Sequence, residues 1–197
     1  MFVTLEGPEG AGKSTVAAGL VTKLGHHGFD VVLTREPGAG PVGRQIRQIL
    51  LEGSEIDQKC ELFLFLADRS QHVSTIVKPA LEAGQIVLCD RFADSTVVYQ
   101  GYGRGLDRET LVNLNLIATA GLVPNLTLLL DIDPALGSSR LQTRDRLDNE
   151  PLEFHTKVRD GFLSEAQKDP SRWVVIDASQ SPEDVLESSW LAIKQRL

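Results

Sequence analysis

Five short apolar runs punctuate the chain at Phe2–Glu6, Asp30–Thr34, Gln85–Asp90, Leu126–Asp131 and Trp173–Asp177. Each is mostly aliphatic or β-branched with little polar alternation, the pattern of strands covered on both faces. Between them lie longer segments with helical patterning: Lys13–His27, Val42–Glu52, Asp57–Ala83, Asp107–Ala120, Pro134–Arg144, Pro151–Lys168 and Pro182–Leu197. This alternation predicts a three-layer α/β fold, a five-stranded parallel sheet flanked by helices and joined by right-handed crossovers. Pro79 is expected to kink or tighten the end of the third helix. No repeat, low-complexity tract or linker divides the 197 residues, so residues 1–197 read as one domain.

Composition narrows the range of partners. Hydrophobic residues make up 42% and charged residues 24% of the chain, ordinary values for a folded domain. The formal net charge of −7 argues against a broad surface for nucleic-acid polymers or acidic membranes. The acidic excess is uneven: residues 1–50 hold five basic and four acidic groups, whereas residues 51–100 hold four and eight. A small anion in a local basic pocket is compatible with that distribution. Cys60 and Cys89 are too few for a disulfide framework and form no C-x-x-C pattern. Cys89 ends an apolar run and reads as a buried thiol. No apolar run nears the roughly 18 residues of a membrane span, and the first residues carry no signal-like pattern, so a cytoplasmic protein is expected.

The first strand runs into Gly7-Pro8-Glu9-Gly10-Ala11-Gly12-Lys13-Ser14, then Thr15, which fits G-x-x-x-x-G-K-[ST] between a strand and a helix. Glycines let backbone N–H groups turn inward around phosphate oxygens, and the helix N-terminus adds partial positive charge. Lys13 would reach the β- and γ-phosphates and Ser14 would ligate Mg²⁺. The third strand ends in Asp90-Arg91. Asp90 can support the Mg²⁺ site through its waters. Arg91 is a cation where a hydrolase needs a water activator, and it suits charge developing between a donor and an acceptor phosphate. No N-K-x-D for reading guanine is present. His26, His27, His72 and His155 lack an orienting partner in the sequence and read as non-catalytic.

In their order these motifs resemble the bacterial thymidylate kinase family over nearly the whole chain. Gly7–Thr15 is similar to its phosphate loop, and Thr34-Arg35-Glu36-Pro37-Gly38 to its T-R-E-P-G. The run from Glu61 to Arg69 looks like its nucleobase-binding helix. Asp90-Arg91-Phe92 leads to Asp94-Ser95-Thr96 and Tyr99-Gln100-Gly101, and Arg140–Asp148 looks like its arginine-rich lid. The resemblance implies a P-loop kinase fold with a lid over about residues 138–150. It also implies transfer of the ATP γ-phosphate to dTMP, giving ADP and dTDP, with Mg²⁺. Neither a nucleic-acid polymer nor a membrane is implied as partner. A homodimer is, with the apolar helix around Leu62–Leu66 as a candidate interface.

Site roles follow from the resemblance position by position. Lys13, Arg91, Arg144, Arg146 and Glu9 are implied as catalytic, and Ser14 and Asp90 as metal-binding. ATP would lie on Gly7 through Thr15 and Arg140. The dTMP site would take Glu9, Arg35, Phe65, Arg69, Arg91, Thr96, Tyr99, Gln100, Asp145 and Asp148. Phe65 and Arg69 share a helix face, so a base stacks on the ring while the guanidinium meets a thymine carbonyl. Tyr99 would exclude a 2′-hydroxyl. The plain alternative makes Phe65 core and pairs Arg69 with Asp68 or Glu61. Arg140, Arg144 and Arg146 share their stretch with only Asp145, a cluster that repels itself until an anion arrives.

Two departures from the family bear on these expectations. Gly38-Ala39-Gly40-Pro41 stands where two glycines and a threonine are usual, and the lid is shorter and ends in Asp148 rather than Glu. Rivals are a P-loop kinase for another nucleotide or a deoxynucleoside, with Glu9 or Glu36 as base, and a nucleotide-binding regulator without acceptor chemistry.

Overall fold

A computed structural model describes residues 1–52 and 55–197. The strands are β1 (Phe2–Glu6), β2 (Val31–Arg35), β3 (Ile86–Asp90), β4 (Leu126–Asp131) and β5 (Trp173–Asp177). They pair in parallel in the order β2-β3-β1-β4-β5. The inner strands β1, β3 and β4 are buried along nearly their whole length, while the edge strands β2 and β5 are partly exposed.

The helices are α1 (Lys13–His26), α2 (Gly40–Glu52), α3 (Gln58–His72), α4 (Lys78–Glu82), α5 (Ala93–Thr96), α6 (Arg108–Thr119), α7 (Pro134–Ser139), α8 (Leu152–Lys168) and α9 (Pro182–Lys194). Successive strand residues feed opposite layers. Val3, Leu5, Leu88 and Leu128 pack with Leu20 and Leu24 of α1 and Trp190 and Ile193 of α9. Phe2, Val87 and Cys89 face the other way, toward Phe92, Val73 and Val77, and Leu129 meets Phe154 and Phe162 of α8. The sheet is therefore the middle of three layers, and Cys89 is the buried thiol expected.

Strands β2 and β3 begin one residue later than the hydrophobic pattern predicts. Other elements differ more. The helical path from Gln58 to Glu82 is continuous, but Val73–Val77 form a π-turn in which the Lys78 N–H bonds the Val73 carbonyl. Pro79 has no N–H and its ring crowds the preceding turn; the helix widens before it rather than tightening. A second π-helical segment, Val97–Gly103, follows α5, with five consecutive buried residues that leave no period to read. The helix expected over Pro134–Arg144 stops at Ser139, and turns and bends continue through Glu150. Gly137, Ser138 and Ser139 are weak helix formers, and the arginines beyond them repel one another.

Candidate active site

Parallel register sets the site. Leu5 pairs with Asp90, so the loop after β1 and Arg91 after β3 leave the sheet side by side. The Arg91 N–H donates to the Leu5 carbonyl at 2.9 Å. Two loop glycines are sterically required: a Cβ on Gly7 (φ 141°) would lie 2.3 Å from the Leu130 carbonyl oxygen, and one on Gly10 (φ 71°) 2.0 Å from that of Gly137. Gly12 caps α1 with no side-chain hydrogen bond, and the first turn of α1 holds no acidic residue. By contrast Asp57, Asp107, Asp133 and Ser181 cap α3, α6, α7 and α9. The first N–H groups of α1, at the end of the glycine loop, thus have no side-chain acceptor and can meet an anion. Lys13 is buried, and its Nζ donates to the Gly7 and Pro8 carbonyls at 3.0 and 2.8 Å. Burial, reinforced by nearby Arg91, lowers its pKa.

Ser14 Oγ donates to Asp90 Oδ2 at 2.6 Å, and both residues line the cleft. A hydroxyl beside a carboxylate, next to a phosphate-binding loop, fits Mg²⁺, which takes few protein oxygens and keeps waters and phosphate oxygens for the rest.

Arg91 has φ 68°, unusual for a residue with a side chain. That turn sends its guanidinium back over the loop. Nη1 donates to the Gly7 carbonyl at 3.2 Å and to Ser95 Oγ at 3.3 Å, and Nη2 to Glu9 Oε1 at 2.6 Å. The group lies 5.0 Å from the Tyr99 ring centre, and the Tyr99 hydroxyl donates to the same Glu9 oxygen at 2.8 Å. Burial pushes the Glu9 pKa up, but Arg91 and Lys13 outweigh it and hold the carboxylate down at about 2. The Glu9 carboxylate is thus turned toward Arg91 and Tyr99, with its side chain 23% exposed at the cleft. Beneath, Glu6 at the end of β1 is fully buried and accepts from the Phe92 N–H (2.8 Å) and Ser95 Oγ (2.6 Å). Burial, with Asp94 nearby, raises its pKa to about 7.

A cleft of about 370 Å³ runs from this loop to α3, within the range of small-molecule sites. Phe65, Arg69, Thr96, Tyr99 and Gln100 line its far wall. Arg69 is 1% exposed. Its Nε donates to Glu36 Oε2 (2.8 Å), Nη1 to Thr96 Oγ1 (2.6 Å) and Asn115 Oδ1 (2.7 Å), and Nη2 to the Phe92 carbonyl (2.9 Å). Four of its five N–H donors are thus held by protein, leaving one on Nη2. The partner is Glu36, not Asp68 or Glu61. Buried His72 bridges Glu36 Oε1 and Thr34 Oγ1, both at 2.7 Å, a structural role. Arg35 is exposed, lines the cleft, and its side chain donates no hydrogen bond among the described residues. The altered Gly38–Pro41 loop is tied to α3 by the Gly38 N–H on Asp68 Oδ1 (3.1 Å), and Pro41 lies in the first turn of α2.

The arginines of the expected lid go to three places. Arg140 Nη1 donates to the Ala178 carbonyl at 2.9 Å, and exposed Arg144 to Ser138 Oγ at 2.8 Å. Arg146 does not point to the phosphate loop: Nε donates to the Leu50 carbonyl at 2.9 Å and Nη2 to Glu61. Without nucleotide, a buried carboxylate on α3 holds it away from the loop. Asp145 and Asp148 close a reciprocal turn. Asp145 Oδ1 accepts from the Asp148 N–H at 3.0 Å, and Asp148 Oδ2 from the Asp145 N–H at 2.9 Å. The short Asp148 side chain suits this turn, and only Asp145 lines the main cleft.

Glu6, Glu36, Glu61, Ser95 and Asn115 were not anticipated as supports. One signal was present: Glu61, Phe65 and Arg69 recur at i, i+4, i+8 on α3.

A family-wide sequence model described as thymidylate kinase matches residues 5–188. Thymidylate kinase from Synechococcus sp. (strain JA-2-3B'a(2-13)) is 50% identical over 197 residues, covering 100% of this chain and 96% of its own. Thymidylate kinase from Desulfovibrio desulfuricans is 52% identical over 209 residues, again with 100% and 96% covered. The crystal structure of thymidylate kinase from Ehrlichia chaffeensis superposes with a TM-score of 0.83 at 34% identity, covering 98% of each chain. Full-length identity at this level, on a matching five-stranded fold, means that the chain belongs to the thymidylate kinase family and with it to the nucleoside monophosphate kinases.

Proposed function

We propose that the protein transfers the γ-phosphate of ATP to the phosphate of dTMP, giving ADP and dTDP for dTTP synthesis. The observation that carries this reading is one continuous cleft joining the phosphate loop and Arg91 to the wall of Phe65, Arg69, Thr96, Tyr99 and Gln100. The triphosphate lies on Gly7–Thr15, with Lys13 exchanging loop carbonyls for phosphate oxygens and Arg140 on the donor side. Ser14 and Asp90 would hold Mg²⁺, which would supply neutralisation of phosphate charge.

An acceptor phosphate oxygen is already ionised at neutral pH and needs no general base. It bonds to the γ-phosphorus while the bond from that phosphorus to the β-bridging oxygen breaks, and ADP keeps the electron pair. Arg91, fixed between loop and wall, stabilises the charge at the transferring group. Arg35 is free to take the acceptor phosphate, and Arg144 sits on the lid to close over the donor. Glu9 orients Arg91 and Tyr99 and lies toward the acceptor sugar. Phe65 stacks the base. Glu36 cannot serve as base for a deoxynucleoside hydroxyl while it is bonded to Arg69 and His72.

The chain acts as a single domain with a lid over about 138–150, in the cytoplasm; no helix among the described residues is long and apolar enough to cross a membrane. It forms a homodimer through the exposed apolar side of α3 and α6, where Phe63 and Ile117 are 59% and 77% exposed. A coupled ADP-release assay across a nucleotide panel tests the substrate. Strong dTMP-dependent turnover is expected, weaker turnover with dUMP, and little with thymidine or GMP. Turnover indifferent to dTMP overturns the reading.

A further inference from the structure

We propose that Glu61 is a positioning residue that sets the base specificity of the cleft by fixing the amide of Gln100, from the same carboxylate that fastens the lid. The proposal rests on the reading above that a thymine-like base lies between Phe65 and Gln100.

Glu61 stands in the first turn of α3 and is 1% exposed. Its Oε1 accepts from Gln100 Nε2 at 2.9 Å. Its Oε2 accepts from Arg146 Nη2 and, at 3.5 Å, from Arg104 Nη2. Burial favours the neutral acid, but hydrogen bonds from Arg146 and Gln100 and the charge of Arg104 outweigh it and lower the pKa. An ionised carboxylate is an acceptor only. Gln100 must therefore turn its NH₂ toward Glu61, because the flipped amide would set oxygen against oxygen.

That choice fixes the other end of the amide. Gln100 lines the cleft, and its Oε1 takes no donor among the described residues. The wall then presents a carbonyl acceptor from Gln100 and the remaining N–H of Arg69. A pyrimidine with a keto group and a protonated N3 offers the complement, a donor at N3 beside an acceptor at O4. Cytosine offers the reverse at both positions. Gln100 could adopt either orientation by itself, and Glu61 removes the one that would accept cytosine.

The lid enters through Arg146. Its backbone N–H bonds the Leu51 carbonyl at 3.3 Å and its guanidinium bonds Glu61 and the Leu50 carbonyl. Glu61 thus joins the α2–α3 wall, the lid and the base-reading amide.

The test is the ratio of kcat/KM for dTMP to that for dCMP in Glu61→Gln. A neutral amide at 61 tolerates either orientation of Gln100, so the ratio should fall by at least about 10-fold, the scale of one mispaired base contact. In a Gln100→Ala background the same substitution should leave the ratio unchanged. A ratio held within about 2-fold in the single variant, with KM alone raised, overturns the proposal. On the unaltered protein the Gln100 side-chain NH₂ resonances should be protected from exchange both before and after dTMP is added, because they face Glu61. Protection that arises only with dTMP overturns it as well, and this readout does not require the variant to fold. If the unaltered protein shows no dTMP-dependent turnover, the substrate reading fails by itself, and the resonances still report on Glu61 and Gln100.

Discussion

The wall of the cleft and the lid both carry arginines, and they hold them in opposite ways. Arg69 on the wall is 1% exposed and makes four hydrogen bonds to groups from β2–α2, α5 and α6. Arg144 on the lid is exposed and makes one, to Ser138. A cation proposed to read the edge of a base must stay within about 0.5 Å of its place, and Arg69 is held accordingly. A cation that meets a phosphate after the nucleotide has arrived needs only reach and charge. Arg91 is held as firmly as the wall, although its proposed task is at the phosphate, and Arg146, in the proposed lid, is anchored like a wall residue.

Three substitutions can break or sharpen this contrast. Arg91→Ala should lower kcat by roughly 10³-fold, about 4 kcal/mol of transition-state stabilisation. Near-normal kcat would make Arg91 only a brace for Glu9. Next, Glu36→Ala leaves Arg69 charged and buried without its carboxylate. We expect a loss of about 3 kcal/mol of stability, at the lower end for broken buried pairs, because Thr96, Asn115 and the Phe92 carbonyl remain. Thermal or urea unfolding reads this directly, and a loss below about 1 kcal/mol would mean that the wall is not over-determined. The smallest effect is expected for Arg144→Ala, a fall in kcat of roughly 10²-fold with stability unchanged within about 0.5 kcal/mol. A clear drop in melting temperature would show that the lid is as firmly built in as the wall.

The sequence was most legible where function is written locally. The phosphate loop, the strand-end Asp90-Arg91 and the five apolar runs each declare themselves within a few residues. Glu36, Asn115 and Glu6 did not, because their partners are set by register between strands and helices far apart in sequence. Glu6 sits in an apolar run, and only its contact with the amides after β3 reveals a task. The charge cluster of the lid was visible, but the aim of Arg146 depends on a carboxylate 85 residues earlier. Val97–Gly103 escaped because a π-helical segment buried on several sides has neither helical nor strand periodicity.

The bare first turn of α1 links folding to supply. Four other helices carry side-chain caps; α1, like α8, has none, and in α1 the phosphate loop leads straight into that turn, where the proposed nucleotide would lie. A ligand that binds only the folded chain shifts the folding equilibrium by mass action, by about 2.7 kcal/mol at a hundredfold excess over Kd. Proteolysis of the unfolded chain slows in proportion. A chain with nucleotide bound at that turn should therefore resist unfolding better than the bare chain.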